Sequence, residues 1–129
     1  AKDAKVGEFM RVFVTDCYSP EEQAIFHKGL VSLEADCQKI YGHSFMALQP
    51  KERGEFLSQL DKQAFAQSKS GGPHTSGPHY FTMVKQLTLF GFFTSEIGAT
   101  QVLRHVSIPG YFDGALAYKP GDRAWATRW

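Results

Sequence analysis

Thr94-Ser95-Glu96 is the one compact cluster of hydroxyls and a carboxylate set in an apolar stretch, and Glu96 is the only acid between Asp61 and Asp113. A functional reading would make Glu96 a general acid or base. His105 or Asp113 would be its partner in a small catalytic or ligand site. The competing role is structural, with Glu96 capping or hydrogen-bonding the segment that follows. The histidines offer less. His74 and His79 share a glycine- and proline-rich stretch, His27 has only Leu30 and Val31 at helical spacing, and His43 and His105 follow the ends of expected helices. Imidazoles commonly meet free carbonyls there, so no metal site is expected. GxSxG, SxxK, HExxH and GxGxxG are all absent, which leaves hydrolytic and dinucleotide chemistry without a motif. This polar inventory points to a binding or accessory module rather than an enzyme.

The elements that would carry these residues are helical. Val6, Phe9, Met10, Phe13, Val14 and Cys17 follow the spacing of an amphipathic helix over about 4–17. Ser19-Pro20-Glu21-Glu22 is a strong start signal, with Ser19 as cap, Pro20 at the first helical position and two acids facing the helix dipole. The apolar positions Phe26, Leu30, Leu33, Cys37 and Ile40 extend that helix from Pro20 to Tyr41, where Gly42 stops it. A third helix is expected from Pro50 to about Ala66, on Phe56, Leu57, Leu60, Ala64 and Phe65. Residues 67–79 read as a flexible loop, in keeping with their glycine, serine, proline and histidine content. A fourth helix is expected from near Pro78 through LTLFGFFTSEIGATQVLR. The residues after Arg104 show no period and carry Tyr111, Phe112, Tyr118, Trp125 and Trp129. They predict an irregular, ordered tail laid over the helices, because aromatic surface is costly to leave in water.

The expected fold is therefore mainly α: one domain over 1–129, a small bundle of about four helices with an irregular aromatic-rich C-terminal tail. A 43% hydrophobic chain of 129 residues can bury a core. Its formal charge of +1 gives no footprint for nucleic acid. The apolar run from Gln86 to Ser95 is about half the length needed to span a bilayer, so no transmembrane segment is expected. The chain opens with AKDAKVGEF, without an initiator methionine or the basic and apolar regions of an export signal. The expectation is a longer precursor or a trimmed chain. Cys17 and Cys37 fall on apolar faces of the first two helices. Cys37 is about 25 Å along the second helix from the turn beside Cys17, whereas a disulfide needs Cα atoms within about 7 Å. Both thiols are expected to be unpaired.

In a continuous fourth helix, Gly91, Ser95 and Gly98 fall on one face, extended by Thr88 and Ala99. Two glycines there cost about 1 kcal/mol each relative to alanine, which makes that face a place of close approach. Its occupant would be the chain's own tail or a partner.

The run LTLFGFFTSEIGATQVLRHVSIPGYFDGALAYKPGDRAWA resembles the C-terminal region of the gluconate 2-dehydrogenase subunit 3 family. The resemblance rests on FGFFTSEIGATQ, the Pro109-Gly110 step, Asp113-Gly114, Tyr118-Lys119-Pro120-Gly121-Asp122 and Ala124-Trp125, with DCYSPEEQ near the N-terminus. It implies a small, non-catalytic subunit of a bacterial periplasmic, membrane-associated dehydrogenase acting on a sugar, sugar acid or polyol. The implied partners are a large flavoprotein of the glucose-methanol-choline type carrying FAD, and a cytochrome c subunit carrying haem. It also implies twin-arginine export and help with the partner's export or maturation. No cofactor is expected in this chain. Gly91, Ser95, Glu96, Gly98, Tyr111, Phe112, Asp113 and Trp125 are the candidate surface for a partner or for the packed tail.

Overall fold

The computed structural model of the chain describes residues 1–70, 77–108, 110–111 and 113–127. Four helices dominate: α1 (Val6–Cys17), α2 (Pro20–Tyr41), α3 (Pro50–Ser70) and α4 (Tyr80–Phe93). Two three-residue strands, β1 (Arg104–Val106) and β2 (Trp125–Thr127), pair in parallel with Arg104 opposite Trp125. The chain is mainly α. It divides into two compact units, residues 11–86 and residues 1–10 with 87–129.

Local chemistry sets the bounds of α2. The Ser19 hydroxyl accepts from the Glu22 amide at 3.3 Å, and the Glu22 carboxylate accepts from the Ser19 amide at 2.9 Å, a reciprocal capping box. At the other end Gly42 takes φ of 72° and its amide donates to the Gln38 carbonyl at 3.0 Å. A left-handed residue of this kind satisfies a terminal carbonyl without a Cβ clash. The helix runs unbroken past Gly29, and Cys17 and Cys37 are both free thiols.

Within residues 11–86 the core is Cys37, Leu48, Phe56, Leu60, Ala64 and Phe81, flanked by half-buried Leu33, Tyr41, Phe45, Leu57 and Tyr80. Tyr41 meets Phe56 edge-on with ring centroids 6.2 Å apart, a favourable quadrupole arrangement. The buried face of α2 is only partly the expected one, with Leu33 half-buried against the core. Phe26, Gly29 and Cys37 are buried, whereas Leu30 is 41% and Ile40 56% exposed. Gly29 belongs on the buried face because the Tyr80 ring lies where its side chain would be.

Other expectations need correction. Cys17 is exposed rather than on an apolar face. Helix α3 continues four residues past Ala66 to Ser70, so part of the expected 67–79 loop is helical. Residues 71–76 of that loop, with His74, lie outside the described residues. Lys69 accounts for part of the extension, since its ammonium sits 4.6 Å over the Phe65 ring. The tail is not packed away: Tyr111 is 82%, Tyr118 74% and Trp125 45% exposed. Phe112 and Trp129 lie outside the described residues.

Candidate functional site

The candidate residues sit on one continuous stretch from the end of α4 to β2. The helix expected from near Pro78 through this stretch is interrupted after Phe93. Helix α4 ends at Phe93, and the Thr94 and Ser95 hydroxyls join their own amides on its last carbonyls. Thr94 Oγ1 donates to the Phe90 carbonyl and Ser95 Oγ to the Phe92 carbonyl, both at 2.6 Å. Ser95 Oγ also accepts from the Gly98 amide at 3.0 Å. It thus finishes one helix and caps the next turn, the two roles for which serine competes with helical bonding. The chain resumes as a π-helical turn over Gly98–Val102, closed by the Leu103 amide on the Gly98 carbonyl at 2.9 Å.

The two glycines consequently do not share a helical face. A Cβ on Gly91 would stand 2.5 Å from Phe9 Cδ1, and a Cβ on Gly98 would collide with the Phe92 carbonyl. Both close approaches are made by this chain, one by α1 and one by the preceding turn, and neither involves the aromatic tail. Phe9 also meets Phe90 edge-on at 5.4 Å.

Glu96 is exposed, as are His105 and Asp113. The Glu96 backbone carbonyl accepts from Thr100 Oγ1 at 2.7 Å. The Asp113 carboxylate is engaged locally, accepting from the Ala115 amide at 2.9 Å. The described grooves lie elsewhere, along α3 around Lys51, Ser58 and Lys62, between Asp36 and Gln63, and beside Gly29 and Tyr80. None of the three is lined by Glu96, His105 or Asp113.

The segment after the π-helical turn is closed at its neck by several contacts. The Arg104 amide donates to the Ala124 carbonyl at 2.8 Å, beginning the β1–β2 pair. The Arg104 guanidinium lies 4.1 Å over the Trp125 ring. One Arg123 nitrogen donates to the Thr100 carbonyl at 3.1 Å and to the Leu103 carbonyl. Farther out, Lys119-Pro120-Gly121-Asp122 makes a turn with Pro at its second position and Gly121 at φ of 96°. The Asp122 amide closes it on the Lys119 carbonyl at 3.0 Å, and the Asp122 carboxylate accepts from the Lys119 amide at 2.9 Å.

One constellation escaped the sequence. His79 Nδ1 accepts from the Phe81 amide at 3.1 Å, and the His79 ring stacks on Tyr80 at 4.8 Å. Burial lowers the His79 pKa and raises that of Tyr80, to which Asp36 and then Cys37 add. The Tyr80 hydroxyl is buried with no hydrogen-bond partner among the described residues. The available signal was a histidine directly before the first turn of α4, where an acceptor can serve the free amides.

Residues 1–110 match the family model described as Gluconate 2-dehydrogenase subunit 3. The chain belongs to this family. No curated protein and no solved structure matches it. The match on the subunit 3 family includes FGFFTSEIGATQ and reaches Gly110. Asp113-Gly114, Tyr118–Asp122 and Ala124-Trp125 follow the matched segment. Among the described residues of this subunit 3 member, no group of three His, Cys, Asp or Glu side chains could hold a metal ion. No helix among them is long and apolar enough to cross a membrane.

Proposed function

We propose that this chain is the non-catalytic small subunit of a bacterial FAD-dependent dehydrogenase complex acting on a sugar, sugar acid or polyol. The observation that carries the reading is the family match over residues 1–110, since the family is defined as a dehydrogenase subunit. The placement of Glu96, His105 and Asp113 on the surface supports an accessory role, because an acid–base residue works best in a water-excluding pocket. In this reading the partner is a glucose-methanol-choline-type flavoprotein that holds FAD, and a cytochrome c subunit carries electrons onward through haem. The complex is periplasmic, and the small subunit assists the export or maturation of its partner by the twin-arginine route.

The test is co-expression with a glucose-methanol-choline-type flavoprotein from the same source, followed by purification through a tag on this chain. The expected result is co-elution at a fixed ratio, with flavin absorbance, and sugar oxidation only when the flavoprotein is present. A chain that oxidises a sugar unaided defeats the proposal.

A further inference from the structure

Helix α4 begins on an unusual cap. Serine, threonine, aspartate and asparagine are preferred before a first helical turn, and here the position belongs to His79. Its Nδ1 accepts from the Phe81 amide at 3.1 Å, and its carbonyl accepts from the Thr82 amide at 2.9 Å. An imidazole nitrogen can accept only while it carries no proton. Protonation at Nδ1 therefore breaks the Phe81 bond and leaves that amide an orphan. It also sets a positive charge against the positive end of the helix dipole. Serine or asparagine in the same place would be indifferent to pH.

The next residue, Tyr80, is seated at a cost. Its ring fills the space of a side chain at Gly29 on α2 and stacks on the His79 ring. Yet its hydroxyl is buried with no hydrogen-bond partner among the described residues. A buried hydroxyl without a partner favours conformations that return it to water. Packing of the ring and the cap bond beside it oppose that return, so loss of the cap shifts the balance toward release. Two contacts keep the opening from spreading. Phe81 is buried in the core with Phe56 and Leu60, and one turn farther Lys85 pairs with Asp61 of α3 at 2.7 Å.

The surroundings do nothing to stabilise an imidazolium. Lys28 and Ser32 of α2, Gln67 of α3 and Tyr80 share a groove with His79. Lys28 is the one charged side chain among the described residues that line it, and no carboxylate is among them. Asp36 of α2 acts on the Tyr80 hydroxyl.

We propose that His79 is an acid-released latch: its neutral ring closes the first turn of α4 and keeps Tyr80 on Gly29, and on protonation that turn opens while the core around Phe56 stays folded. A closed turn binds the proton less readily than an open one, because burial lowers the His79 pKa from its ordinary 6.5. Opening therefore increases as the pH falls below that value, by at most about tenfold per pH unit, and levels off under the folded-state value. The latch works whether or not the chain is a dehydrogenase subunit.

The test is native-state hydrogen exchange on the full chain and on His79→Asn, whose cap accepts a hydrogen bond without titrating. Protection factors, corrected for intrinsic exchange, are compared between about pH 7.5 and about pH 5, above the carboxylate range. In the unaltered chain, protection at the Phe81 and Thr82 amides should fall about fivefold or more. Protection at the Phe56 amide should change by less than about twofold, as should all three amides in His79→Asn. A smaller fall at Phe81 overturns the latch. A larger change at Phe56 overturns it as well, since the opening would then be global, and a larger change in His79→Asn assigns the response to another group. Should the variant not fold, NMR titration of the His79 ring in the unaltered chain decides. A Phe81 amide shift that follows the ring's midpoint supports the latch, and one that does not overturns it.

Discussion

Phe56 and Tyr118 are both aromatic, and the structure uses them oppositely. Phe56 is 2% exposed in the core of residues 11–86, and Tyr118 is 74% exposed beyond β1. The first region is held by side-chain burial: Cys37, Leu48, Phe56, Leu60, Ala64 and Phe81 exclude water together. The second is held by backbone groups and their polar partners, including Arg123 on two carbonyls and aspartates on two amides. Apolar content alone thus says little about where a segment gets its order. The difference lies in whether the backbone can bring apolar groups together from distant parts of the sequence.

The largest expected effect tests that contrast directly. Phe56→Ala should destabilise by about 3–5 kcal/mol, and Tyr118→Ala should change stability by less than about 0.5 kcal/mol, both read from urea denaturation. A comparable loss from the two would end the distinction. The next effect concerns backbone approach. Gly98→Ala should cost about 1–3 kcal/mol, because the Phe92 carbonyl that blocks the new methyl group is backbone and cannot swing aside. Gly54→Ala in α3, where nothing lies within 4 Å, should instead stabilise by about 0.4–1 kcal/mol. Thermal melting of the two variants should move in opposite directions.

Smaller again is Arg123→Ala, which removes the donor to the Thr100 and Leu103 carbonyls. It should cost about 1 kcal/mol and speed hydrogen exchange at the Arg104 amide, while leaving exchange at the Phe56 amide unchanged. The smallest effect is the pH response of the burial-held region. Burial holds His79 below its ordinary 6.5, so folding favours the neutral ring whose Nδ1 accepts from Phe81. That contribution is complete above pH 6.5 and is lost as the pH falls from there through the folded-state value. Denaturation midpoints taken across this range should fall with pH in the unaltered protein and less steeply in His79→Gln.

How much was legible follows the range of the interactions. The bounds of α2 agree with expectation at both ends because Ser19, Glu22 and Gly42 act on backbone groups within a turn of themselves. The end of α3 was misplaced because the apolar pattern stops at Phe65, whereas Gln67, Ser68 and Lys69 continue the helix on its solvent side. The break after Phe93 was hidden because Thr94 and Ser95 are compatible with a helix as well as with its termination. Strands β1 and β2 are too short for an alternating period, and their pairing joins residues twenty-one apart in the sequence.

By itself the sequence determined the helical class, the caps of α2, the unpaired state of both thiols and the family resemblance. All of these rest on residue types at short, countable spacings. Tertiary structure alone decided that Gly29 receives Tyr80, that Gly91 receives Phe9, and that Tyr111 and Tyr118 stand in solvent. The physical reason is that burial is a property of what arrives from elsewhere in the chain, and periodicity within one helix cannot say which residue that will be.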